Sequence, residues 1–249
     1  MDRKCPAVFL LLVSLLGCGE AEEPFVYIAH AGGGVEGTDY NNNLQSVQNS
    51  YLNGFKLIEI DFLVTSDGHV VCGYTWEKEG WSHPPVEKKF VRQVKEKRCT
   101  ASSLVDWLKN NEDAQVIIDA KERPVYVWSY IAQKFPDFLS RFIPQAYRVS
   151  DVSMLLDMGY SDVFLTLYKY KEKEIDDLLE SLQSCDAAID AVVLNFESEI
   201  LTSDLSSSLN GCGVKLYVYT VNNPAAVEKL IQEKHINGVY TDHILPIRY

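Results

Sequence analysis

A chain of 249 residues, 47% of them apolar, is long enough to bury one large core. Its formal net charge of −12 argues against a nucleic-acid partner, which calls for clustered Lys and Arg. It argues equally against a basic patch for anionic membrane.

The first 18 residues, MDRKCPAVFLLLVSLLGC, pair a basic start (Arg3, Lys4) with an apolar run from Ala7 to Leu16. That run has signal-peptide length and is too short for a comfortable membrane span. Leu15, Leu16, Gly17 and Cys18 are similar to a bacterial lipobox. Two outcomes stay open: lipidation at Cys18, giving a cell-envelope lipoprotein, or plain cleavage, giving a secreted or periplasmic protein. GEAEEP, residues 19–24, then reads as a short acidic tether.

No linker or repeat interrupts residues 25–249, which read as one domain. Strand-length apolar runs alternate with amphipathic stretches. The runs are VYIAHA, FKLIEIDFL, QVIIDAK, RFIPQAY, DVFLTLY, AVVLNFE, KLYVYTV and GVYTD. Helices are expected over Asn43–Asn53, Ser102–Asn110, Pro124–Phe138, Val152–Met158, Lys173–Ser184, Ser203–Leu209 and Pro224–Lys234. Asn42 or Asn43 can cap the first, and Asn223 before Pro224 suits the start of the last. Gly54, Gly159 and Gly238 follow helical stretches, where a left-handed residue is wanted. Eight continuous apolar strands between helices predict an α/β fold, a (β/α)8 TIM barrel, over a doubly wound open sheet. The charged, aromatic segment between Tyr74 and Cys99 is expected to loop over the barrel mouth. Cys72, Cys99, Cys185 and Cys212 admit local pairings, 72 with 99 and 185 with 212, or four buried thiols.

Chemistry in such a barrel gathers at the strands' C-terminal ends. His30 ends the first run. Glu59 and Asp61, at spacing i, i+2, point to one face of the second strand. Two buried acids aimed together repel and lose solvation, which a divalent cation relieves; an ion pair with Lys121 is the structural alternative. Asp119, Lys121, Gln145, Asn195, Glu197 and Asp242 fall at further strand ends.

His30-Ala31-Gly32-Gly33, Glu59-Ile60-Asp61 and Thr65-Ser66-Asp67-Gly68, in that order, resemble the glycerophosphodiester phosphodiesterase family, within the phosphatidylinositol-specific phospholipase C-like phosphodiesterases. Ile143-Pro144-Gln145, Val218 to Asn222 and Gly238 to Asp242 extend the resemblance over about 220 residues, a span natural for one barrel. The resemblance implies phosphodiester cleavage of glycerophosphodiesters or phospholipid headgroups, within lipid metabolism. It implies His30 as proton carrier, one Ca²⁺ or Mg²⁺ on Glu59, Asp61 and Asp119, and Lys121 on the phosphate. Gly32, Gly33 and Gln145 are expected to bind substrate, and the protein is expected to be a monomer. Asp119 stands where the family has a glutamate. Tyr74 stands where the family has its second catalytic histidine. A phenol donates a proton but is a poor base at neutral pH. Two readings follow: a divergent phosphodiesterase with Tyr74 as the acid, or a catalytically impaired pseudoenzyme that binds phosphate headgroups. His69, His83 and His243 are the substitutes to consider for the missing group.

Overall fold

The computed structural model describes residues 24–34, 41–93, 98–168, 170, 185 and 188–246. The leader, Cys18 and the helix expected over Lys173–Ser184 lie outside them. Eight parallel strands close on themselves: β1 (Val26–Ala29), β2 (Leu57–Val64), β4 (Gln115–Ala120), β5 (Phe142–Ala146), β6 (Phe164–Thr166), β7 (Ala191–Asn195), β8 (Lys215–Tyr219) and β9 (Gly238–Thr241). Ile28 pairs with Leu57 on one side and Tyr240 on the other, so β1 is the closing strand. The ninth strand, β3 (Val70–Cys72), turns back antiparallel on β2 beyond the rim, with Phe62 opposite Cys72. The result is the expected (β/α)8 barrel with one hairpin added.

The helices are α1 (Leu44–Leu52), α2 (Glu87–Arg92), α3 (Ala101–Leu108), α4 (Pro124–Lys134), α5 (Val149–Asp157), α6 (Ser203–Gly211) and α7 (Pro224–Lys234). Their starts follow side-chain chemistry. Asn43 Oδ1 accepts from the Gln45 and Ser46 amides, each at 2.9 Å, and opens α1. Thr100, not Ser102, caps α3, in a reciprocal box with Ser103. Asn223 caps α7 ahead of Pro224. The helix expected to reach Phe138 stops at Lys134, because Pro136 begins a separate 3-10 turn, Pro136–Arg141. The helix expected from Val152 starts three residues earlier, at Val149. Among the described residues no helix is long and apolar enough to cross a membrane.

Two apolar layers hold the barrel. One lies between strands and helices and includes Ile58, Ile60, Leu104, Val116 and Trp128; the other fills the barrel with Ile28, Ile117, Ile143 and Phe164. Disulfides join Cys72 to Cys99 and Cys185 to Cys212. The first clasps the base of the excursion after β3. That excursion is not all loop, since it contains α2.

Gly54 and Gly159 take the expected positive φ, at 103° and 96°. Gly238 does not. His235 takes the left-handed cap of α7 instead, and Gly238 is the first residue of β9. Its role is steric: a Cβ there would collide with the Val26 carbonyl oxygen, where β9 pairs with β1. Gly238→Ala is therefore expected to cost about 1–3 kcal/mol, as overpacking against backbone does. Urea denaturation monitored by tryptophan fluorescence checks this; an unchanged midpoint would refute it.

Candidate active site

Strand alternation sorts the barrel interior by height. On four strands the lower inward residue is apolar and the next inward residue, two along, is polar. The pairs are Ile28 and His30, Ile117 and Asp119, Ile143 and Gln145, Phe164 and Thr166. The polar set rims a cavity of about 230 Å³ at the strands' C-terminal ends, lined also by Glu59, Tyr74, Lys121 and Tyr240.

Glu59, Asp61 and Asp119 converge beside it. Strand register sets Asp61 opposite Asp119. Ligand oxygens of all three buried acids lie within 4.8 Å of one another. Lys121 Nζ lies 2.7 Å from Asp61 and 2.6 Å from Asp119. The ion-pair alternative is thus realised for those two acids. Burial, and then the charge of Asp61, push the Glu59 carboxyl up to about 8. Burial likewise raises Asp61, against the pull of Lys121. Glu59 Oε2 accepts the Ala31 amide at 2.7 Å, while Oε1 has no hydrogen-bond partner among the described residues. A set of hard carboxylate oxygens, one of them orphaned, could hold a metal ion among Glu59, Asp61 and Asp119.

Two residues in left-handed backbone serve this cluster. Ala31, with φ of 49°, turns its amide onto Glu59. Asn42, with φ of 41°, makes a two-way bond with Asp61: its Nδ2 donates to Oδ2 at 2.8 Å, and its Oδ1 accepts the Asp61 amide at 2.9 Å. Asn42 therefore orients a candidate ligand, while Asn43 alone caps the helix.

His30 opens the short turn after β1. Its Nδ1 lies 2.8 Å from Asp242 Oδ1, and Asp242 Oδ2 accepts from Asn222 Nδ2 at 2.6 Å. A carboxylate only accepts, so Nδ1 carries the proton and Nε2 is the nitrogen suited to exchange one with a ligand. Burial alone would push the imidazole down. The hydrogen bond to Asp242 and the charges of Glu59, Asp242 and Asp61 outweigh burial and bring it up to about 9. Burial would raise Asp242, but its bonds to His30 and Asn222 hold it below the usual carboxylate range.

Tyr74 stands on the side of the cavity opened by the β2–β3 hairpin. The Gly73 amide before it donates to the Asp61 carbonyl at 2.9 Å. Lys121 Nζ lies 5.0 Å from the Tyr74 ring centroid. Tyr74, Lys121 and Tyr168 also line an adjoining outer chamber of about 490 Å³, with Trp76, Glu77 and Glu122.

Other expected residues fall elsewhere. Gly32 and Gly33 do not line the cavity: added Cβ atoms would meet Ser46 and Ser50 of α1, so these glycines let the turn pack closely on that helix. The exposed Asn195 accepts the Glu197 amide at 2.8 Å, and neither residue lines the cavity. His83 and His243 are exposed and outside it. His69 follows the C-terminal end of β2, on the mouth side of the barrel. There it lies within 3.6 Å of Asp67 and Glu87 oxygens, away from the cavity.

The fold is that of solved glycerophosphodiester phosphodiesterases. It matches the one from Thermotoga maritima with a TM-score of 0.68 at 17% identity, over 89% of this chain and 96% of that one. A glycerophosphodiester phosphodiesterase from Parabacteroides distasonis matches with 0.67 at 16% identity, over 88% and 94%. An Oleispira antarctica phosphodiesterase, solved with the product sn-glycerol-3-phosphate, matches with 0.65 at 14% identity, over 87% and 92%. No family model matches the chain, and no curated protein matches it.

Because His30 titrates higher in the folded chain than its ordinary 6.5, it stabilises the fold fully below about 6.5; that contribution is lost as pH rises through about 9. Asp242→Asn should lower the His30 titration midpoint in the cation-free protein. It should also destabilise the fold more near pH 6 than above about pH 9. Imidazole NMR titration reads the first, and denaturation across pH the second; an unmoved imidazole would overturn the account of Asp242.

Proposed function

We propose that this protein belongs to the glycerophosphodiester phosphodiesterases and cleaves phosphodiesters of glycerol or of phospholipid headgroups. The observation that carries this is the meeting of an Asp242-bound imidazole, three carboxylates and Lys121 around one cavity. A Ca²⁺ or Mg²⁺ held by Glu59, Asp61 and Asp119 would supply charge neutralisation at the phosphoryl oxygens. Lys121 adds a fixed positive charge at the same rim. The charge of a cation on those acids would offset the carboxylates that raise His30, leaving Nε2 able to take the proton from the attacking oxygen, and Asp242 stabilises the imidazolium that results. The Tyr74 phenol donates to the leaving alkoxide, which exits through the outer chamber. The exposed mouth suits a small-molecule diester or a lipid headgroup.

The two disulfides support an exported protein, since such bonds persist in oxidising compartments. With the apolar leader they favour secretion or a cell-envelope location; the membrane would be reached only through a lipid on Cys18.

Tyr74 in place of a histidine favours a second reading, a headgroup-binding protein without turnover. Assays on glycerophosphodiesters, with calcium, magnesium or EDTA, separate the two. The enzyme reading expects cation-dependent turnover, lowered about 10²–10⁴-fold by His30→Ala. Tyr74→Phe should lower it also, and more for poor leaving groups. An inert wild type that gains activity on Tyr74→His would establish the binding reading.

A further inference from the structure

Tyr240 is a residue whose polar end has no use in the cation-free fold. It lies on β9, level with Ile28 of β1, within the apolar layer that fills the barrel. The side chain is 2% exposed. Its hydroxyl has no hydrogen-bond partner among the described residues. A buried hydroxyl without a partner is costly, and a phenylalanine would fill the same space without that cost.

The hydroxyl is not sealed in a wholly apolar surround. Tyr240 lines the same cavity as Glu59, Asp119 and His30. The second orphan in that cavity is Glu59 Oε1, an acceptor on a candidate cation ligand. A buried donor and a buried acceptor, both unsatisfied, thus border one space. A divalent cation on carboxylates commonly keeps waters in its shell, and a water can accept from a tyrosine hydroxyl while donating to a carboxylate.

We infer that the Tyr240 hydroxyl is a positioning donor for the cation site: it donates to a shell water that is also held by Glu59. This rests on the cation-dependent reading above. It adds a residue from the barrel's lower layer, below the rim that carries His30 and the acids. The hydroxyl thereby ties cation affinity to the floor of the barrel.

The test compares wild type, Tyr240→Phe and Tyr217→Phe, the last altering a neighbouring floor tyrosine. Each is melted without divalent cation and across a calcium titration, with magnesium as a parallel series. Tyr240→Phe is expected to melt at or above wild type without cation. Its calcium affinity, from the dependence of melting temperature on concentration, should fall about tenfold, the size of one hydrogen bond. Tyr217→Phe should leave that affinity unchanged. Equal affinity in Tyr240→Phe and wild type would overturn the inference while leaving the cation site standing. A cation-free Tyr240→Phe that melts well below wild type would also overturn it, because the hydroxyl would then serve the empty fold. A wild type that does not respond to either cation would overturn the cation reading itself, and this inference with it.

Discussion

The charge balance at the barrel rim constrains everything around it. Glu59, Asp61, Asp119 and Asp242 bring four carboxylates to one region, opposed among the described residues by Lys121 and a protonated His30. Desolvation and mutual repulsion would otherwise neutralise such acids by protonation. The raised Glu59 and Asp61 show that pressure directly. The fold answers it with directed donors: the Ala31 amide to Glu59, the Asn42 amide group to Asp61, the Tyr147 hydroxyl to Asp119 at 2.6 Å, and Asn222 to Asp242. Left-handed conformations at Ala31 and Asn42, uncommon for residues other than glycine, are what aim two of these donors. A cluster held together by this many fixed dipoles, with three acids converging, could hold a cation.

Much of that arrangement is written in strand parity. Glu59 and Asp61 share a face because a strand repeats every two residues, and Asp119 joins them because β4 runs parallel in register with β2. The apolar runs, their order and the alternation with helices therefore suffice for the barrel, and the two-residue spacing suffices for the acid cluster. Of the two readings the four cysteines admit, the fold realises the sequence-local disulfides.

What the sequence leaves hidden is long-range or steric. Asp242 is recognisable as a strand-end acid, but its bond to His30 spans 212 positions and depends on β9 closing against β1. Asn42 and Asn43 look interchangeable as caps; only the fold turns one toward Asp61. The glycines after His30 suggest close approach to phosphate, whereas the close approach is to the serines of α1. Gly238 reads as a helix terminator and is in fact the gap that lets β9 lie against Val26. In each case local chemistry names the residue type that fits, and tertiary packing decides which neighbour it serves.

The backbone leading to Tyr74 is pinned twice: Cys72 is bonded to Cys99 and its amide donates to the Cys99 carbonyl, and the Gly73 amide donates to the Asp61 carbonyl. The side chain faces the cavity. A phenol offers a donor at that place and, near neutral pH, no base. Across the cavity the Nδ1 of His30 is committed to Asp242, which leaves Nε2 as its other exchangeable position. Two groups able to carry a proton thus stand on different sides of one cavity, the His30 imidazole after β1 and the Tyr74 phenol on the hairpin side.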